Sequence, residues 1–230
     1  MTTVLITGAN RGIGLELART YARSGVTVIA TARDPGGAAE LAALKAAHPS
    51  VHVLPLDVTS PASLDALVAQ LSRRPVDLLI ANAGVIGPRT GVDDSENTPQ
   101  RWAAVLVTNV TGVFFTVRSL MPNLKAAPGS KIAIISSRMA SSQAAKGSSY
   151  LYRASKAAAA NIGINLAVEL KPAGIAVGIY HPGWVQTDMG GKAADITPAA
   201  SAEGLVNRIA KLSVETTGVF EDYAGAAIVY

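Results

Sequence analysis

Tyr152 and Lys156 stand four residues apart in Ser149-Tyr150-Leu151-Tyr152-Arg153-Ala154-Ser155-Lys156. That spacing is one helical turn, so a phenol and an ammonium share a face. Together they can move a proton. A nearby cation favours phenolate and draws a tyrosine pKa down from about 10 towards neutrality, as acid-base work on an alcohol or carbonyl oxygen requires. The spacing alone fits equally an aromatic on a packed face with a solvated lysine beside it. Tyr150 is the competing phenol, but Ala154 stands one turn beyond it. The chemistry therefore falls to Tyr152, and Tyr150 is left to line a pocket or to pack.

A second set of residues suits a dinucleotide. Thr7-Gly8-Ala9-Asn10-Arg11-Gly12-Ile13-Gly14 joins the first apolar run to the first helical pattern. Gly8, Gly12 and Gly14 permit a tight turn and let a pyrophosphate approach a helix N-terminus, where free N–H groups and the dipole favour anions. The whole turn is the candidate cradle, with Asn10, Arg11 and Ile13 as further contacts. After the second strand comes Ala32-Arg33-Asp34. Arg33 is placed to pair with a 2′-phosphate, with Arg11 clamping it from the other side, which favours NADP(H) over NAD(H). Asp34 keeps NAD(H) as the alternative. Asp57 and Val58 follow the third strand, where Asp57 can accept from an adenine amino group. Asn82, Ala83 and Gly84 follow the fourth, where a turn lets the backbone lie along adenosine. Both segments also suit ordinary strand-ending turns.

These residues need a frame that brings distant positions to one edge. Apolar, β-rich runs near 3–7, 26–31, 51–55, 76–81, 131–136 and 174–180 alternate with helical patterns near 12–24, 36–47, 61–72, 99–126, 149–171 and 198–213. Repeated βαβ units with almost wholly apolar strands, such as Ile132-Ala133-Ile134-Ile135, predict an α/β fold with a doubly wound parallel sheet covered on both faces. Ligands of such sheets lie beyond the carboxyl ends of the strands, at residues 8–14, 32–34, 57–58, 82–84, 136–143 and 181–195. The 230 residues suit one domain, 1–230, and no repeat or linker divides them. The loop from Gly84 to Pro99 either covers a site or merely connects.

Composition excludes several classes of function. With 49% hydrophobic and only 16% charged residues, the chain is no disordered segment, and part of its surface is expected to meet a second copy. The net charge of +4 is scattered, which argues against a nucleic-acid surface. With no cysteine, thiol chemistry is absent, and His48, His52 and His181 lack a metal-binding spacing, so no metal is expected. The N-terminus enters a strand pattern at once, without a secretory leader, and no long apolar run is free of charges and turn formers. No membrane span is expected, and the cytoplasm is the default compartment.

The ordered set Thr7-Gly8-x-x-x-Gly12-x-Gly14, Asp57, Asn82-Ala83-Gly84, Asn109, Ser137, Tyr152-x-x-x-Lys156 and Pro182-Gly183 spans nearly the whole sequence. In it the chain resembles the short-chain dehydrogenase/reductase family of single-domain type. Within that family it is similar to the carbonyl-reductase and C-factor-like branch, on Ser136-Ser137-Arg138-Met139, Tyr152-Arg153-Ala154-Ser155-Lys156 and His181-Pro182-Gly183-Trp184-Val185-Gln186-Thr187. The resemblance implies a Rossmann-type domain with a parallel sheet of about seven strands. It implies that Tyr152 protonates a carbonyl oxygen as hydride arrives from NADPH, or removes the proton in reverse. Lys156 would depress the Tyr152 pKa and hold the nicotinamide ribose. Ser137, matching the family's second serine in preference to Ser136, would donate to the same oxygen, and Asn109 would hold a water relaying protons to Lys156. Pro182, Gly183, Val185 and Thr187 would line the nicotinamide end, with Thr187 on its carboxamide.

The interval from Ser137 to Tyr152 is longer than the family's usual one, which implies a longer loop and a particular choice of substrate. Gln143, Tyr150 and Trp184 are pocket candidates, and Gly190 and Gly191 open a segment that can act as a lid up to Pro198. His181 reads as structural. The expected partners are a small carbonyl or alcohol substrate and further copies of the chain, as a dimer or tetramer. A dinucleotide-binding sensor without catalysis is the alternative function, since fold alone does not establish activity.

Overall fold

The computed structural model describes residues 2–230. Its strands are β1 (Thr3–Ile6), β2 (Thr27–Ala32), β3 (Val51–Pro55), β4 (Leu78–Ala81), β5 (Lys131–Ile135), β6 (Ala176–His181) and β7 (Phe220–Asp222). All are parallel, in the order β3-β2-β1-β4-β5-β6-β7. The chain therefore winds outward from β1 in one direction, returns at β4 and winds outward in the other. The switch point lies between β1 and β4, where the handedness of βαβ connections opens a crevice at the carboxyl edge.

Alternation along the strands sorts the core into two layers. Val4, Ile6, Val28 and Ala30 meet α1 (Gly12–Arg23), α2 (Ala39–Ala47) and α7 (Pro198–Ala210). Leu5, Ile29, Leu79, Ile132 and Ile134 meet α3 (Pro61–Leu71), α5 (Gly112–Lys125) and α6 (Tyr150–Leu170). Three helices begin alike. Ser60, Thr98 and Thr197 each accept a backbone N–H from three residues ahead, with proline next in line for α3, α4 (Pro99–Leu106) and α7. A hydroxyl at the cap satisfies one open amide, and proline at the first helical position has no N–H to leave unpaired.

Three features depart from the sequence reading. The continuous helix expected over 99–126 is α4 and α5 separated by a π-helical turn at Val107–Thr111. Asn109 reaches out of this turn to Val85, while the hydroxyls of Thr108 and Thr111 bond back to the carbonyls of Ala104 and Val107. Both kinds of bond divert the helical ladder locally. The helix expected from 36 starts at Ala39, because Asp34 Oδ1 accepts the Gly37 N–H at 3.2 Å and holds a turn. The seventh strand lies at Phe220–Asp222, three residues too short to show a period. It is held by a two-pronged ion pair between Arg208 of α7 and Glu221, at 2.8 and 2.6 Å.

By composition, Pro99–Lys125 is apolar and long enough to cross a bilayer, although no such stretch was expected. In the fold it carries the π-helical turn and packs Val113, Val117, Leu120 and Leu124 against the sheet.

Candidate active site

At the carboxyl end of β1 the chain turns through Gly8, at φ 65. A Cβ on Gly8 would stand 2.9 Å from the Ala83 Cα, and one on Gly14 would stand 2.4 Å from the Gly8 carbonyl oxygen. The turn is fastened to the loop after β4. Asn82 Nδ2 donates to the carbonyls of Thr7 and Gly8 at 2.9 and 3.0 Å, and the Thr7 hydroxyl accepts the N–H groups of Asn82 and Ala83, each at 3.0 Å. Thus the side chain of Asn82 holds the cradle. Helix α1 then starts at Gly12 without a side-chain cap from Arg11, leaving first-turn N–H groups open to an anion. Opposite, a Cβ on Gly12 would lie 3.3 Å from the Thr187 methyl group, so Thr187 faces the turn across the cleft. Glycines that admit no side chain, beside uncapped amides, fit a dinucleotide pyrophosphate.

Arg33 is the first residue past β2 and is exposed, whereas Asp34 is turned onto its own loop. Arg33 also acts on Asp57. Bonds from the Thr59 hydroxyl and N–H, at 2.7 and 2.9 Å, together with the Arg33 charge, hold the Asp57 carboxyl below its ordinary range. The Arg11 guanidinium is paired with Asp188 across the cleft, both groups being exposed. Val58 is buried, and a Cβ on Gly112 would lie 2.9 Å from its Cγ2, so it seats α5 beneath the cleft.

Beyond β5, three groups converge. Lys156 and Tyr152 are buried, at 6% and 9% exposure. Lys156 Nζ donates to the Ile135 carbonyl at 2.9 Å and lies 5.7 Å from the centre of the Tyr152 ring. Ser136 and Ser137, just past β5, both meet α6. Ser136 Oγ donates to the Lys156 carbonyl at 2.9 Å, while the Ser137 hydroxyl lies beside the Tyr152 phenol. Asn109 is buried nearby, its Oδ1 accepting the Val85 N–H at 2.8 Å and its Nδ2 donating to the Val85 carbonyl at 2.8 Å and to Ser155 Oγ at 3.0 Å. Both amide hydrogens are thereby engaged, so the side chain positions the Val85 backbone and Ser155. A Cβ on Gly84 would meet Asn109 Oδ1 at 3.3 Å and Lys156 Nζ at 3.4 Å, so a side chain there would crowd both groups.

The electrostatics depart from expectation. Burial pushes the Tyr152 phenol up, against the opposing pull of the Ser137 hydroxyl and of the Arg89 charge. The cost of a phenolate away from water prevails, and the Lys156 ammonium is aimed at the Ile135 carbonyl. Burial lowers Lys156 itself from 10.5 to about 8.

The Lys156 shift has a definite sign in stability. Below pH 8 folded and unfolded chains both carry the proton, and the fold bears the full cost of a buried cation. Between pH 8 and 10.5 the folded chain releases it first, so stability rises with pH across that window. Urea denaturation of wild type and Lys156→Met at either end of the window should show the wild type gaining relative to the variant. Parallel curves would mean that the ammonium is not depressed.

The loop after β6 closes the cleft from the other side. The Pro182 carbonyl accepts from Ser201 Oγ at 2.6 Å, fastening the loop to α7, and Gly183 has φ 88 in close contact with Ile196 and Tyr223. Val185 is buried and pairs with Ile196, and Gln186 bonds to Ala194 and Ile196. The segment expected as a lid is thus folded back on Val185 and Gln186. Trp184 is 49% exposed with its Nε1 on the Gly190 carbonyl at 2.9 Å, and Tyr150 is 42% exposed. Gln143 is exposed on a short 3₁₀ turn, Ser142–Ala144. Burial takes His181 down to about 4, leaving it neutral at ordinary pH.

Sequence reasoning missed two contributors. Thr7 opens the glycine turn, yet its hydroxyl is the acceptor that joins the turn to β4. Arg89 lies in the long loop read only as a cover or connector. Its charge acts on Tyr152, and its Nη2 donates to the Met189 carbonyl.

The family profile described as short chain dehydrogenase matches residues 2–197. The chain is 35% identical, over 98% of both proteins, to the 1-hydroxy-2-glutathionyl-2-methyl-3-butene dehydrogenase of Rhodococcus sp. strain AD45. It is 36% identical to the C-signal protein of Myxococcus xanthus, over 67% of this chain and 92% of that one. In three dimensions it superposes on the NADPH-bound carbonyl reductase from chicken fatty liver with a TM-score of 0.93 and 33% identity, covering 100% of this chain and 99% of the other.

Proposed function

Because the chain belongs to the short chain dehydrogenase family, on its carbonyl-reductase branch, we propose that this oxidoreductase reduces a ketone or aldehyde to an alcohol with NADPH, reversibly. The observation that carries the reading is the convergence of Ser137, Tyr152 and Lys156 beside the glycine turn. The Tyr152 phenol, pushed up by burial, keeps its proton at neutral pH. It is therefore held ready as the acid that protonates a carbonyl oxygen, with the Ser137 hydroxyl donating to the same atom. Lys156, with its value near 8, offers N–H donors to ribose hydroxyls. Asn109 fixes the Val85 backbone and Ser155 around it.

The cofactor supplies the hydride. The turn of Gly8, Asn10, Arg11, Gly12, Ile13 and Gly14 would hold its pyrophosphate, and Arg33 the 2′-phosphate. Asp57, Val58 and the Asn82–Gly84 turn would hold adenosine, and Pro182, Gly183, Val185 and Thr187 the nicotinamide end. The substrate pocket would be lined by Ser137, Gln143, Tyr150 and Trp184.

Consumption of NADPH with a panel of ketones and aldehydes tests the reading. Arg33→Asp should weaken NADPH binding roughly 10- to 100-fold, the worth of a charge-assisted pair, and narrow the gap to NADH. Fluorescence titration with both cofactors measures it, and an unchanged ratio would remove Arg33 from cofactor choice. A dinucleotide sensor is the second reading, supported by the likeness to the C-signal protein. It predicts cofactor binding without turnover of any carbonyl, whereas Ser137, Tyr152 and Lys156 are all present. The reading includes a cytoplasmic homo-oligomer, dimer or tetramer, supported by the exposed Phe114, Phe115 and Val168 on α5 and α6.

A further inference from the structure

The loop between β4 and α4 brings a cation to the site that the proposed chemistry does not use. Arg89 is tied at two places. Its Nη2 donates to the Met189 carbonyl in the loop after β6, and its own carbonyl accepts from Ser149 Oγ at 3.2 Å. The next carbonyl, that of Thr90, accepts the Ser149 N–H at 3.1 Å. Ser149, at φ 56, is the residue from which α6 starts towards Tyr152. The Arg89 backbone is thus tied to the helix that carries the phenol, and its side chain to the loop that carries Thr187 and Trp184. Its positive charge reaches the phenol, drawing the Tyr152 pKa down against burial.

The guanidinium itself is under-used. It has five N–H donors, and Met189 takes one. Among the described residues no carboxylate pairs with it, whereas Arg11 has Asp188, Arg138 has Asp222 and Arg153 bonds to the carbonyls of Ser148 and Ala144. The two anchoring points of Arg89, Ser149 and Met189, each have a partly exposed aromatic nearby. Tyr150 follows Ser149 directly, and Trp184 bonds to Gly190, next to Met189. A cation with free donors, tied to the segments that carry Tyr150, Trp184 and the reactive hydroxyl, recognises a molecule with an apolar body and a negative end.

We propose that Arg89 is a specificity-determining residue, binding an anionic group, most simply a carboxylate, on the carbonyl compound whose oxygen lies at Tyr152. This rests on the carbonyl-reductase reading. The test uses methyl ketones with a terminal carboxylate at increasing chain length, each paired with its methyl ester, as substrates with NADPH. For at least one length, wild type should show a kcat/KM for the acid at least about tenfold above that for the ester, with a preference that shrinks as salt is added. Arg89→Gln should lower kcat/KM for that acid roughly 10- to 100-fold more than for its ester, and Arg89→Lys should recover part of the preference. Equal loss for acid and ester would make Arg89 a strap between loops only, and absence of any acid preference in wild type would overturn the proposal outright.

If neither acid nor ester is reduced, the carbonyl-reductase reading fails, and binding of the acids to the NADPH-loaded protein then decides the Arg89 proposal alone. Affinity that drops in Arg89→Gln upholds an anion site, and affinity that does not drop overturns it.

Discussion

Tyr152→Phe should lower kcat for carbonyl reduction roughly 10²- to 10⁴-fold, the usual worth of a positioned general acid. The ring is buried, so phenylalanine fills the same space and the loss is confined to one hydroxyl. What remains is Ser137, which can donate a hydrogen bond to the developing oxyanion but has no reason to give up its proton at neutral pH. The pH profiles sharpen the expectation. Since burial raises the Tyr152 pKa, reduction by wild type should hold its rate through neutral pH and fall only in alkali, where the phenol ionises. Oxidation of the alcohol should instead climb with pH, because the phenolate is then the base. Steady-state rates in both directions, with circular dichroism to confirm folding, make the measurement. A phenylalanine variant as active as wild type would mean that another group carries the proton.

Asn109→Leu should be the most damaging substitution for the scaffold of the site. It leaves the Val85 N–H, the Val85 carbonyl and Ser155 Oγ without the partner they have now. Each buried polar group left unpaired costs about 1–3 kcal/mol, and Ser155 keeps its bond to the Tyr152 carbonyl, so a total near 3 kcal/mol is expected. For a chain of this size that is a fall in Tm of roughly 6–12 °C. Activity should fall as well, because Asn109 Oδ1 and Lys156 Nζ both border Gly84 and Asn109 bonds to Ser155, next to Lys156. Asn109→Asp, which keeps the acceptor for Val85 and loses both donors, should lie between the two. Thermal melts and kinetics of the three proteins decide it, and a leucine variant as stable as wild type would show that the π-helical turn does not depend on this side chain.

Much of the fold was legible because its signals are local. Apolar strands alternating with helical patterns imply a covered parallel sheet, and the spacing of Tyr152 and Lys156 survives folding because a helix preserves it. The choice between Ser136 and Ser137 rests on family likeness, because both hydroxyls meet α6, one at the Lys156 carbonyl and the other beside the Tyr152 phenol. What escaped depends on bonds between distant segments. The helical pattern over 99–126 does not show where the ladder is diverted, because that turn depends on Asn109 reaching Val85 across the fold. Arg89 gains its place only when the loop after β4 meets the start of α6 and the loop after β6. The direction of the Tyr152 shift was misjudged because spacing reports the nearness of Lys156 but not the depth at which both lie, nor that the ammonium points to Ile135.

The fastening of Thr7 and Asn82 has a wider consequence. Thr7 N–H donates to the Ile80 carbonyl at 3.0 Å, and the Thr7 hydroxyl and Asn82 amide complete a knot between the first and fourth strands at the point where the winding reverses. If the turn holds the cofactor as proposed, nucleotide affinity and the cohesion of the two half-sheets of this chain rest on the same bonds. Selection or engineering for tighter cofactor retention will also move its resistance to heat, and a thermostable variant with a slackened knot will have been repaired elsewhere.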